Sequence, residues 1–168
     1  HFPYDGIISE EFQEIEGKRK WYIDPLDGTE SFIRNSDEFG IHIGLCESDT
    51  PVLGVVYRVA KGEIYYGVKN VGAFRENKNG KKKLEIDEGS LEDVVCVTSY
   101  GEKALKNIEA FIKLLKIKRI VRGAATGLRI LKLVDGEADF YILPPSQVKP
   151  WDLCAPHAIL EASGGNAK

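Results

Sequence analysis

The residues of this chain whose types and spacing most plainly suggest chemistry are two aspartates separated only by Pro-Leu. They lie in Trp21-Tyr22-Ile23-Asp24-Pro25-Leu26-Asp27-Gly28-Thr29-Glu30-Ser31. A stiff turn holds Asp24 and Asp27 close together, and like charges at short range are costly unless a cation compensates them or one is protonated. Oxygen donors of this kind suit Mg²⁺ or Mn²⁺ and not Zn²⁺. Gly28 lets backbone approach a ligand closely, and Thr29 with the N–H groups after it forms a helix start that accepts an anion. A hard cation beside a phosphate is one reading. A surface turn with Thr29 as N-cap is the other, because Asp, Pro and Gly are common turn residues and Thr caps well.

Two further acidic places bear on that choice. Ser9-Glu10-Glu11 puts carboxylates after a short apolar run, and Pro150-Trp151-Asp152 puts one at a helix start. Each also has a plain structural explanation: a solvated turn for the glutamates, an N-cap for Asp152.

The elements that must position these groups follow from the apolar pattern. Trp21-Tyr22-Ile23 reads as a buried strand, and Pro25, which cannot donate to a ladder, is expected to end it near Asp24. Both aspartates then sit at a strand's carboxyl end, where α/β proteins place ligands. Residues 6–9 form a strand ending on Glu10-Glu11, and 30–34 a short helix. Strands over 39–46, 51–57, 62–67 and 72–74 are close enough to make an antiparallel or mixed meander. The lysine-rich stretch 78–83 is a solvated hairpin or connector, or else a basic docking patch. Asp87-Glu88-Gly89-Ser90 marks a boundary, dividing the chain into a sheet half, 1–89, and an α/β half, 90–168. In the second half, strands are expected at 93–98, 119–121 and 138–143, the last broken by Pro144-Pro145. Helices are expected near 104–115, at 128–134 with a stop at Gly136, and at 151–162 closed by Gly164-Gly165.

With 168 residues, 43% hydrophobic and 29% charged, the chain has enough material for a substantial core. It lacks any apolar run approaching the ~20 residues of a spanning helix. A net charge of −3 argues against a general nucleic-acid binder, so an anionic substrate has to be attracted locally. Cys46, Cys96 and Cys154 are odd in number, widely spaced and in apolar contexts, which reads as buried free thiols and not a disulfide framework or zinc site. There is no methionine and no signal or transit pattern. The expectation is a piece of a longer cytoplasmic protein, with homodimer formation left open.

Taken together and in this order, the three acidic clusters resemble the lithium-sensitive, magnesium-dependent phosphatases of the inositol monophosphatase superfamily. The resemblance rests on Ser9-Glu10-Glu11, on Asp24-Pro25-Leu26-Asp27-Gly28-Thr29 and on Trp151-Asp152-Leu153-Cys154-Ala155-Pro156 with Gly164-Gly165. It implies an α/β fold, the layered α-β-α-β sandwich of sugar phosphatases, lacking here the N-terminal helices and a C-terminal strand. It also implies metal ligation by Glu10, Asp24, Asp27, Asp152 and the Leu26 carbonyl, with two or three Mg²⁺ ions, or Mn²⁺, activating water for in-line attack on phosphorus. Glu10, Asp27 and Thr29 become the catalytic residues, and Gly28 and Thr29 the phosphate-binding step.

Trp-Asp-x-Cys-Ala-Pro and the 13-residue step from Ala138 to Trp151 look most like 3′(2′),5′-bisphosphate nucleotidases, which remove the 3′-phosphate of adenosine 3′,5′-bisphosphate. The expected partner is thus a small phosphorylated molecule, with no nucleic acid polymer and no membrane. Ser99, Thr126 and Arg129 are substrate-site candidates. Arg129 stands where the family carries lysine, either as a phosphate contact or as a solvated helix arginine. Pro145 replaces the ring-binding glutamate of inositol monophosphatases, which disfavours inositol phosphate. Inositol-1-phosphate or fructose-1,6-bisphosphate hydrolysis remains the alternative activity, and an inactive metal- or nucleotide-binding remnant the non-enzymatic one.

Overall fold

The computed structural model describes residues 2–87, 93–143 and 148–167. The boundary expected around residues 87–90 and the Pro144-Pro145 break fall largely or wholly outside them. Seven strands run in chain order across one sheet: β1 (Gly6–Ser9), β2 (Arg19–Asp27), β3 (Gly40–Glu47), β4 (Thr50–Arg58), β5 (Glu63–Val68), β6 (Gly72–Asn77) and β7 (Gly80–Leu84). β1 and β2 are parallel and every later pair is antiparallel, so the meander is a mixed sheet. The lysine-rich stretch is the solvated β6–β7 hairpin; its turn is fixed by Asn79 N–H donating to the Asn77 side chain. A second, parallel sheet has the order β10-β8-β9, from β8 (Val95–Thr98), β9 (Arg119–Arg122) and β10 (Phe140–Tyr141). β10 is shorter than the expected 138–143, since only Phe140 and Tyr141 pair with β8.

Four helices complete the fold: α1 (Thr29–Ile33), α2 (Glu102–Leu114), α3 (Thr126–Val134) and α4 (Pro150–Ala162). α3 and α4 lie between the two sheets. Their Leu128, Leu131, Ala155 and Ile159 share a core with Val56, Tyr65 and Ala73 of the large sheet. Alternation along β8 sends Val95 and Val97 toward Ala138, and Cys96 to the other side against Ile108 of α2. The layers are therefore large sheet, α3 with α4, small sheet, α2. None of the described helices is long and apolar enough to cross a membrane.

Two local features place the acidic groups. The first is a row of glycines, Gly44, Gly54 and Gly67, paired side by side across β3, β4 and β5. A Cβ on Gly54 would run into the Ala155 carbonyl, and one on Gly67 would stand 2.7 Å from Ile159 Cα. α4 lies in this groove at backbone contact, which brings its first turn over the end of β2. The second corrects the expectation that β2 ends near Asp24. The strand continues to Asp27, and between its pairings Asp24↔His42 and Asp27↔Gly40 it spends three steps against two on β3. That is a β-bulge, a place where proline is tolerated in a sheet.

Candidate active site

The bulge gives each β2 carboxylate a different setting. Asp24 is buried, and its Oδ1 accepts the Leu26 N–H at 2.8 Å. Asp27, also buried, reaches across to the start of α3: its Oδ1 accepts the Thr126 N–H at 3.2 Å and its Oδ2 the Gly127 N–H at 2.8 Å. Asp27 thus satisfies two of the backbone donors that a helix start leaves without partners, from 100 residues away in sequence.

Gly28 adopts a left-handed conformation, φ 92°, as N-cap of α1, and a Cβ there would stand 2.7 Å from the Glu38 carbonyl oxygen. Thr29 is consequently the first helical residue and not the N-cap of the surface-turn reading. Its hydroxyl turns back and donates to the Leu26 carbonyl at 3.2 Å.

The other two acidic groups come from opposite ends of the chain. Glu10 follows β1 directly, and Asp152 stands in the first turn of α4, where its Oδ2 accepts the Lys149 N–H at 2.8 Å. Asp152 therefore is a cap, as the plainer reading had it, and it also faces the β2 carboxylates. Three of these carboxyls are raised above their ordinary range. Burial, opposed by the Leu26 hydrogen bond and reinforced by Asp27, Glu10 and Asp152, pushes the Asp24 carboxyl up to about 7. Glu10 is raised by desolvation and then by Asp152, Glu11 and Asp27. Asp152 is raised by desolvation and Asp27, against the lowering effect of the Lys149 N–H.

Among the described residues, no three acidic, histidine or cysteine side chains yet close on one point tightly enough to enclose a metal ion. Several of the carboxylate oxygens are turned instead onto backbone N–H groups. The donor chemistry nevertheless suits a hard cation: all the donors are oxygens, and the field that raises Glu10, Asp24 and Asp152 is what a divalent ion relieves.

One residue of the cluster escaped sequence reasoning. His42 is fully buried on β3, with Nε2 3.3 Å from Asp27 Oδ2 but no well-angled hydrogen-bond partner at either nitrogen. Burial pushes its protonation below the usual imidazole range against the opposing pull of Asp27 and Asp152. The contact is accordingly a neutral imidazole beside a carboxylate, not an ion pair. Pro156 has no N–H to give back to the Asp152 carbonyl, and that carbonyl also favours the protonated ring. The available signal was the strand period, which places His42 on the same face as Gly40 and Gly44.

Ser99, Thr126 and Arg129 all line a cavity of about 300 Å³ between α2, α3 and β10, whose walls also include Lys103, Asn107 and Tyr141. Thr126 joins this cavity to the carboxylates, since its N–H is the one held by Asp27. Arg129 is not the solvated helix residue that the sequence left open. It is buried, donates to the Gly123 carbonyl at 3.1 Å and to Thr126 Oγ1 at 2.9 Å, and lies 5.1 Å from the Tyr141 ring centre. Burial pushes the Tyr141 phenol up to about 12, so it stands at the cavity as a donor. Pro145 lies outside the described residues.

Comparison with known proteins gives a consistent outcome. A profile of the inositol monophosphatase family matches residues 1–167. A protein of Aquifex aeolicus named fructose-1,6-bisphosphatase/inositol-1-monophosphatase is 29% identical over 171 residues, covering 98% of this chain and 63% of its own. The 3′(2′),5′-bisphosphate nucleotidase CysQ of Buchnera aphidicola is 33% identical over 150 residues, covering 88% of this chain and 54% of its own. Among solved structures, inositol monophosphatase from Anabaena superimposes with a TM-score of 0.84 at 27% identity, over 99% of this chain and 67% of that one. The chain thus spans 54–63% of the length of these two curated relatives.

Proposed function

The chain belongs to the inositol monophosphatase family, and from that premise we propose that it hydrolyses a small phosphomonoester with Mg²⁺, its preferred substrate being adenosine 3′,5′-bisphosphate. The observation that carries the phosphatase reading is that carboxylates from three distant places in the chain share one field: beside burial, Asp27 raises the proton affinity of Glu10, Asp24 and Asp152 alike. Glu10, Asp24, Asp27, Asp152 and the Leu26 carbonyl would hold two or three Mg²⁺ ions. When bound, these supply charge neutralisation of the phosphoryl group and a water of lowered pKa.

The chain's own residues do the rest. Gly28 leaves room for backbone to meet the phosphate, and the Thr29 hydroxyl, freed from Leu26, orients the attacking water opposite the leaving oxygen. Glu10 takes up a proton readily, because burial first and its acidic neighbours next already raise its affinity for one. His42 and the N–H groups of Thr126 and Gly127 fix Asp27 so that it does not follow the moving charge. Positioning and electrostatics supply most of the rate in phosphoryl transfer.

The second phosphate favours the bisphosphate over a monophosphate. The cavity beside Thr126 carries a cation on each side, Lys103 and Arg129, together with the Tyr141 hydroxyl. A sugar bisphosphate answers the same description, and the name of the Aquifex relative makes fructose 1,6-bisphosphate the second reading. The test is phosphate release from adenosine 3′,5′-bisphosphate, fructose 1,6-bisphosphate and inositol 1-phosphate, with and without Mg²⁺ and Li⁺. Mg²⁺-dependent, Li⁺-inhibited release that is fastest from the adenosine compound supports the proposal. Preference for inositol phosphate overturns the substrate, and no release from any of them by either this chain or a longer version supports a binding remnant.

A further inference from the structure

The cysteines, which the sequence presents as isolated thiols, are not all isolated. Cys46 on β3 and Cys154 on α4 are 108 residues apart in sequence, yet their sulfurs approach to 3.3 Å, both buried. Cys96 lies elsewhere, on β8, packed with Ile108 and Ile117. The approach is built into the glycine groove. Gly44 and Cys46 share the face of β3 turned toward α4, and a Cβ on Gly44 would stand 2.5 Å from Cys154 Sγ. The missing side chain at Gly44 gives Cys154 its seat, two residues along the strand from Cys46.

We infer that Cys46 and Cys154 form a site of reversible oxidative modification, a disulfide that ties the N-terminal half of α4 to β3. A disulfide needs an S–S distance of about 2.05 Å, so closure asks for a movement of only about an ångström between groups already in contact. The oxidant is a hydroperoxide. One sulfur attacks a peroxide oxygen, the O–O bond breaks, and a sulfenic acid forms with release of one water. The second sulfur attacks the sulfenic sulfur, the S–O bond breaks, and a second water leaves. Two thiols thereby lose two protons and two electrons, and hydrogen peroxide becomes two waters. A small dithiol reverses the change. The short reach between the sulfurs favours closure over further oxidation of either one, and Cys96 has no such neighbour.

The test is peptide mapping of the native chain after hydrogen peroxide, with free thiols alkylated under denaturing conditions and the digest kept unreduced. The expected result is a Cys46–Cys154 cross-linked peptide lighter by two hydrogens, with Cys96 recovered alkylated. The same cross-link should form in Cys96→Ala. Closing a loop of this size should also raise the melting temperature by about 10 °C, reversed by dithiothreitol. The inference is overturned if Cys46 and Cys154 stay alkylatable under conditions that oxidise the unfolded chain. Sulfinic acid at either residue, or cross-links involving Cys96 in comparable yield, overturns it equally.

Discussion

The imidazole of His42 on β3 fills the space that a side chain at Gly127 on α3 would need; a Cβ built at Gly127 clashes with the ring's Cε1 and stands 2.6 Å from Nε2. This contact sits directly behind Asp27, which receives the Gly127 N–H and faces His42 Nε2. β3 and the start of α3 therefore meet behind one carboxylate, and the packing there sets where it points.

That relationship predicts a reversal of the usual helix rule. Gly→Ala in a helix normally stabilises by about 1 kcal/mol, but Gly127→Ala should destabilise by about 1–3 kcal/mol through overpacking. His42→Ala in the same chain should recover part of that loss, with a coupling of about 0.5–3 kcal/mol. Urea denaturation of the four members of the cycle checks it. Additive losses would mean that the two residues do not compete for the same space.

Asp27→Asn should remove Mg²⁺-dependent turnover and should not be silent for folding. Asp27 receives backbone N–H groups on both oxygens, and an amide presents only one acceptor, leaving one helix donor facing its NH₂. The expected loss of stability is about 1–3 kcal/mol, read from the denaturation midpoint beside the phosphate-release rate.

Metal-free stability should fall as pH rises through neutrality. Asp24 in the folded chain titrates at about 7, raised from 3.8. Its contribution is fully present below the unfolded value and is lost as pH climbs through about 7. Glu10 and Asp152 are shifted in the same direction. Melting temperature against pH, in chelator and then in Mg²⁺, should show a decline from pH 4 toward 8 that the cation reduces. Asp24→Asn should flatten the metal-free decline.

The glycine groove yields a separate prediction. Gly54→Ala puts a methyl group into the Ala155 carbonyl and should lift α4 from the sheet, at a cost of about 3 kcal/mol or more, at or beyond the upper end of ordinary overpacking because a backbone must move. An exposed control, Gly80→Ala, has open space around its Cβ but a positive φ of 120°. It therefore reports backbone strain without the clash, and a loss at Gly54 no larger than at Gly80 would contradict the groove.

Much of this was legible in the sequence because it is local. The apolar run 21–23, the helix period of 104–115 and the acidic-Pro-Leu-acidic spacing are each written within a dozen residues. What was not legible depends on approach between distant segments. Pro25 reads as a strand terminator until the bulge against His42 and Gly40 accommodates it. Thr29 reads as a cap until Gly28 takes that position with a backbone conformation glycine alone adopts readily. Arg129 reads equally as a phosphate contact or a solvated helix residue, until the start of α3 is closed around it. His42 and the Cys46–Cys154 contact carry almost no local signal, because each is defined by a glycine on another strand or helix or by a partner more than eighty residues away.

The central claim is that acidic side chains from three separate places hold divalent cations in one site. Calorimetric or paramagnetic-resonance titration with Mn²⁺ tests it most directly, on the chain itself and on Glu10→Gln, Asp24→Asn, Asp27→Asn and Asp152→Asn. Each single change should weaken binding by about tenfold or more, the scale that even indirect changes around a metal produce. If Mn²⁺ binds the Asp152→Asn and Glu10→Gln chains as tightly as the unaltered one, those groups belong to no common site and the account is contradicted.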